Sequence, residues 1–142
     1  MAGKRILWLT IYLTTLGCRG EPRAEEARAP LPDGYELKVV RLRAHPAFAE
    51  YTRRAELLRG DSLLAADSLF MDTGGYGRFE LVATSTGTLI LRGPIESYLI
   101  DLKGRTIQPI DSVVAGQKGQ VLGIFDDDTR QNWTYRALAP GS

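Results

Sequence analysis

From Gly34 onward the apolar positions come in short runs divided by turn residues, and within several runs they alternate with polar ones. A period of two predicts strands with one buried face. Tyr35 to Arg43 is the first run. Phe79, Leu81 and Ala83 alternate with Arg78, Glu80 and Thr84, with Val82 on the outer set. Thr88 to Arg92 predicts a short strand, and Gly93-Pro94 turns it into Ile95 to Leu102, where Tyr98, Ile100 and Leu102 share a face. Lys103-Gly104-Arg105 reads as a hairpin loop. Thr106 to Val114 follows, with Pro109 marking an edge or a bulge. Gly119 to Phe125, a turn over Asp126 to Arg130, and Asn132 to Leu138 complete the series. Trp133, Tyr135 and Ala137 face one way in the last strand. The expected fold class is mainly β: residues 34–139 as a single domain, an antiparallel meander forming a small barrel or sandwich.

One stretch supports two readings. His45-Pro46-Ala47-Phe48 resembles a helix start with proline at the first helical position. Phe48, Thr52, Ala55 and Leu58 then form a helical stripe that Gly60 stops, which predicts a helix near 46–58. The same residues also read as a β-hairpin: Tyr51 to Arg59, a turn at Gly60-Asp61, then Ser62 to Met71. The second arm is expected to be β. The first arm stays open between helix and strand.

The first eighteen residues have a different pattern. Lys4-Arg5 precede an apolar run, Ile6 to Leu16, that ends in Gly17-Cys18. A membrane-spanning helix needs about 20 apolar residues, whereas a secretory signal needs roughly 7–15 after a basic start. Residues 1–17 therefore read as a signal peptide. Cys18 is the chain's single cysteine. An unpaired thiol is a liability outside the cytoplasm, where disulfides form.

The segment Leu13-Thr14-Thr15-Leu16-Gly17-Cys18 resembles the lipobox of bacterial lipoproteins. The family pattern places leucine three residues before the cysteine; here Thr15 holds that place and Leu16 follows it. The resemblance implies that Cys18 becomes the mature N-terminus and carries a diacylglyceryl group and an N-acyl chain. Two or more acyl chains hold a protein stably to a bilayer where one does not. Arg19 in place of aspartate implies the outer membrane, with the domain facing the periplasm. The expected address is thus the bacterial cell envelope, and the expected partner is the membrane itself, through the anchor.

Cleavage before Cys18 leaves 125 of the 142 residues, enough for one domain with its own core. Without Lys4 and Arg5, 16 basic residues face 17 acidic ones. No basic excess exists to neutralise phosphates, so nucleic-acid binding is not expected. No cysteine remains for a zinc site, and no cofactor is expected. Residues 18–33 are rich in proline, alanine and charge, and read as a flexible tether with little to bury. Its prolines favour extended structure, which would hold the domain some tens of ångströms off the membrane.

The order of strands from Gly34 to Leu138 resembles small lipocalin-like β-barrel lipoproteins. Gly34-Tyr35-Glu36-Leu37, the Asp61-Ser62-Leu63 and Asp67-Ser68-Leu69 pair, Gly87-Thr88-Leu89-Ile90-Leu91, and Asn132-Trp133-Thr134-Tyr135-Arg136 carry the likeness. It implies a barrel of about eight strands whose interior is filled or holds one small ligand. Phe79, Leu91, Tyr98 and Trp133 are the candidate lining. The expected function is a non-enzymatic binding module for a small apolar ligand or an envelope partner. One alternative is a structural or interaction lipoprotein with a filled core.

Three motifs invite other chemistry. Gly60-Asp61-Ser62-Leu63 spells a hydrolase motif, but a serine nucleophile needs a histidine base. The one histidine, His45, lies upstream, and no downstream D-x-x-H block exists. Asp72-Thr73-Gly74 follows the apolar Leu69-Phe70-Met71 and resembles the catalytic triplet of retropepsin-like aspartic proteases, with Val121-Leu122-Gly123 downstream. That likeness implies a second alternative, a dimeric protease sharing one proton between two copies of Asp72. Gly75 departs from its pattern. Asp126-Asp127-Asp128 lacks the glycine and glutamate of a calcium loop and reads as a solvated turn. No metal site is expected.

Overall fold

The structure, a computed structural model, describes residues 23–45, 47–48, 50–72, 77–111 and 118–139. Among them, ten strands make two antiparallel sheets. The first has the order β1-β2-β3-β4: β1 is Ala24–Pro30, β2 Tyr35–Arg43, β3 Tyr51–Arg59 and β4 Ser62–Asp72. The second has the order β10-β9-β5-β6-β7-β8. Its strands are β5 Phe79–Thr84, β6 Leu89–Arg92, β7 Ser97–Asp101, β8 Thr106–Pro109, β9 Gly119–Asp127 and β10 Trp133–Ala137. Both sheets are meanders apart from one crossover. After β8 the chain returns to pair β9 with the far side of β5, as in a Greek key.

The sheets pack face to face. β1 runs alongside β10, and β4 alongside β8, but no hydrogen-bonded ladder closes either seam among the described residues. Of the two expected architectures, the sandwich is the one formed; the closed barrel is corrected. The edge strands supply the reason. β4 carries two register shifts against β3, and bulges twist an edge away from further pairing. β8 has four residues and ends on Pro109, which has no N–H to offer.

The inward set follows the period of two. Leu37 and Val39 on β2, Ala55 and Leu57 on β3, and Leu69 on β4 meet Phe79 and Leu81 on β5, Leu91 on β6, Tyr98 and Ile100 on β7, and Phe125 on β9. Burying a side chain such as leucine or phenylalanine contributes about 1.5–3 kcal/mol. Val82 lies on the other face, as expected, yet it too is buried, opposite Ile90.

Two expectations are corrected here. Of the two readings of the stretch near 46–58, the strand holds over Tyr51–Arg59 and the helix does not: β3 pairs along its whole length with β2, from Tyr51 opposite Arg43 to Arg59 opposite Tyr35. Two flanking strands favour an extended chain over an isolated helical stripe. The flexible tether expected over 18–33 is corrected from Ala24 onward. Ala24–Pro30 is a strand, paired residue for residue with β2. Its inward positions, Ala27 and Ala29, are buried, and their small side chains let β1 close on the core without a large apolar residue. The ordered domain therefore begins at β1 and not at Gly34. Residues 1–22, with Cys18 and the segment read as a signal peptide, lie outside the described residues.

Candidate functional site

The registers place Ala24, Leu42, Tyr51, Asp72, Phe79, Arg92, Ser97, Pro109, Asp127 and Trp133 at one end of the sandwich. This is the end at which the chain arriving from Cys18 enters β1. Leu37, Val39 and Arg41 share the inward face of β2; Arg53, Ala55 and Leu57 share that of β3. At the entry end the inward rows thus finish in two arginines, and Arg41 pairs directly with Arg53. Glu25 is the register partner of Arg41 on β1.

Both guanidinium groups are buried, and each of their nitrogens donates to an internal acceptor. Arg41 donates to Glu25 from Nε and to both oxygens of Asp127, with Nη1 to Oδ2 at 3.1 Å. Its charged carbon lies 4.6 Å from the Tyr51 ring centre and 4.8 Å from that of Trp133, within cation–π range. Burial works to lower its pKa, but the bonds to Asp127 and Glu25 outweigh that and raise it. Arg53 donates to the Phe70 carbonyl from Nε at 3.0 Å and Nη2 at 2.7 Å, to the Gly77 carbonyl, and to Glu96 Oε1 at 2.8 Å. It lies 4.5 Å from the Phe79 ring centre. Glu96 Oε2 is buried and has no hydrogen-bond partner among the described residues.

Two further bonds cross between the sheets here. The indole N–H of Trp133 donates to the Val39 carbonyl at 3.1 Å, and the Phe70 N–H donates to the Tyr98 hydroxyl at 2.9 Å. Burial pushes the Tyr98 phenol up. The layer binds the sheets together and closes the interior at this end. Its two arginines are paired with Glu25, Asp127 and Glu96, so their charge is neutralised within the protein.

Phe79, Leu91, Tyr98 and Trp133, the candidate lining, belong to one buried cluster. The described hollows are elsewhere. One of about 450 Å³ is walled by charge, where Glu80 bridges Arg78 and Arg92. Another, of about 490 Å³, lies at the opposite end between the β5–β6 and β7–β8 turns and Pro32-Asp33. None of the four residues lines either.

The motif residues are dispersed. Ser62 opens β4 at the end opposite His45, separated by the nine residues of β3, about 30 Å of strand. Asp72 ends β4 opposite Tyr51, and Thr73 and Gly74 lie outside the described residues. Asp128 accepts from the N–H groups of Arg130 and Asn132 and from the Asn132 amide. Those bonds, led by that of the Asn132 backbone, hold its pKa below the usual aspartate range. Its role is to close the β9–β10 turn. Among the described residues no cluster of acidic, histidine or cysteine side chains is placed to hold a metal ion. No helix among them is long and apolar enough to cross a membrane.

Apolar side chains surround the entry end. Phe48 is 60% exposed and Ile95 76%; Phe70, Met71 and Leu42 are 57%, 46% and 39% exposed. Sequence reading did not single out this rim or the two arginines. The signal for Arg41 and Arg53 was present, since each continues an inward row of alternating apolar residues. Comparison with family models, curated proteins and solved structures found no match to this chain.

Proposed function

We propose that the chain is a lipid-anchored protein of the bacterial cell envelope whose β-sandwich acts on an envelope partner through its surface, without catalysis. The observation that carries this reading is the N-terminal layout: a basic start, an apolar run too short to span a bilayer, then Gly17-Cys18 with no second cysteine in the chain. The membership of Phe79, Leu91, Tyr98 and Trp133 in one buried apolar cluster, with none of them on a described hollow, favours a surface role over ligand carriage. The internal pairing of Arg41 and Arg53 with carboxylates points the same way. The expected address is the outer membrane, with the sandwich in the periplasm.

Mass spectrometry of the protein extracted from membranes tests the anchor. The expected mature chain starts at Cys18 and carries acyl chains. A mature chain with a free Cys18 thiol, or one starting at another residue, overturns the reading.

A further inference from the structure

We infer that the entry end of the sandwich lies on the bilayer that holds the anchor, with Phe48, Ile95, Phe70 and Met71 entering its interface. This inference rests on the lipid-anchored reading and names the surface which that reading brings to the membrane.

Position is the first argument. Among the described residues, the exposed large apolar side chains are Leu42, Phe48, Leu63, Phe70, Met71 and Ile95. All but Leu63 belong to the entry end; Leu63 sits beside the opposite turn of the β3–β4 hairpin. Exposed apolar residues scattered over a surface need no explanation, whereas five of these six gather at one end of the fold.

Local structure is the second. Ile95 is at the tip of a tight turn closed by the Gly93 N–H on the Glu96 carbonyl at 2.7 Å. Such tips normally carry glycine, asparagine, aspartate or serine. Phe48 is on the β2–β3 connection, its ring 4.8 Å from that of His45. Leu42 faces outward opposite Thr52, and the register shift between β3 and β4 sets Phe70 and Met71 against that same Thr52. A bulge of this kind re-aims side chains at an edge.

Chain length selects the occupant. Ala24 is six residues beyond Cys18, and at about 3.3–3.6 Å per residue the link spans no more than about 20 Å. An acylated Cys18 sits at the membrane surface, so the entry end is always close to it. A partner protein on this rim would have to share that narrow gap. Exposed charges near the rim are of both signs, with Arg43 and Arg78 set against Asp127 and Asp128. The contact is therefore apolar insertion and does not depend on anionic headgroups.

The test uses the full lipidated protein in phosphatidylcholine vesicles whose acyl chains carry bromine, a short-range quencher of tryptophan emission. Phe48→Trp and Ile95→Trp report on the rim, and Leu63→Trp on the opposite end. The wild-type signal from buried Trp133 is the baseline. The expected result is loss of emission for Phe48→Trp and Ile95→Trp and none for Leu63→Trp. The mass of Cys18 is measured on the same samples. Acylated protein with no quenching at 48 and 95, or with equal quenching at all three positions, overturns the docking surface and leaves the anchor intact. An unmodified Cys18 overturns the anchor, and with it this inference unless 48 and 95 are still quenched. A blue shift at 48 and 95 that grows with protein concentration in lipid-free detergent assigns the rim to a second copy and overturns the membrane assignment.

Discussion

Arg41 and Arg53 face each other as register partners on β2 and β3, both buried, and each is neutralised by different carboxylates. Like charges directly opposite in a sheet are unfavourable. The layout resolves this by sending Arg41 to Glu25 and Asp127 and Arg53 to Glu96, so that each arginine is held from its own side.

The two arginines are expected to differ in cost when removed. The Arg53 and Glu96 side chains are 2% and 11% exposed, and breaking a buried pair costs about 3–5 kcal/mol. The partners of Arg41 are 32% and 44% exposed, so water takes over their solvation and Arg41→Met costs about 1–2 kcal/mol. Urea unfolding should give a lower midpoint for Arg53→Met than for Arg41→Met. Adding Glu96→Gln to Arg53→Met should recover part of the loss, because no buried charge is then left alone. Equal midpoints for the two single variants would contradict the assignment.

Trp133→Phe removes the one indole of the folded domain and its bond to Val39. The lost hydrogen bond and the vacated volume together should cost about 2–3 kcal/mol, read as a drop in thermal midpoint. In the unaltered protein, acrylamide should scarcely quench Trp133 until the domain unfolds.

Gly123 is a glycine because the Tyr135 ring lies across it: a β-carbon there would overlap the phenol oxygen. Tyr135 in turn packs on Phe125, ring centres 4.8 Å apart. Gly123→Ala should cost about 1–3 kcal/mol by overpacking. Tyr135→Leu in the same chain should relieve part of that. If the double variant is less stable than the sum of the singles predicts, the clash is not the cause.

The β9–β10 turn should loosen in acid. Because its folded pKa is depressed, Asp128 contributes stability above the ordinary aspartate range, about 3.9. That contribution is lost as pH falls through the lower folded value. Carboxyl NMR titration should place its midpoint below that of an unperturbed aspartate. The Asn132 amide should shift with the same midpoint; a midpoint in the ordinary range would remove the proposed bonds.

Most strands were legible because their alternation is strong. Tyr35–Arg43 forms with the expected bounds, and the alternation over Arg78 to Thr84 forms a strand from Phe79. The β3 stretch was not, since Ala55 satisfies a period of two and a period of 3.6 alike, and only pairing with β2 and β4 decides. β1 was hidden because Ala27 and Ala29 bury little area, and prolines and charges around them resemble a linker. Arg41 and Arg53 continue inward rows, yet their charge argued against that reading. Pattern rules send charges outward, whereas these two occupy inward positions that only carboxylates from distant strands make tolerable. The place of β9 beside β5 depends on long-range pairing that no local pattern records.

The antiparallel pairing of β1 with β2 has a mechanical consequence. Tension arriving from residue 23 runs along the axis of β1, whose seven residues are each paired with β2. A pull in that direction strains all seven pairs at once, in shear, instead of unzipping them one after another. The strand that first looked like slack is the one that would resist a pull on the N-terminal link.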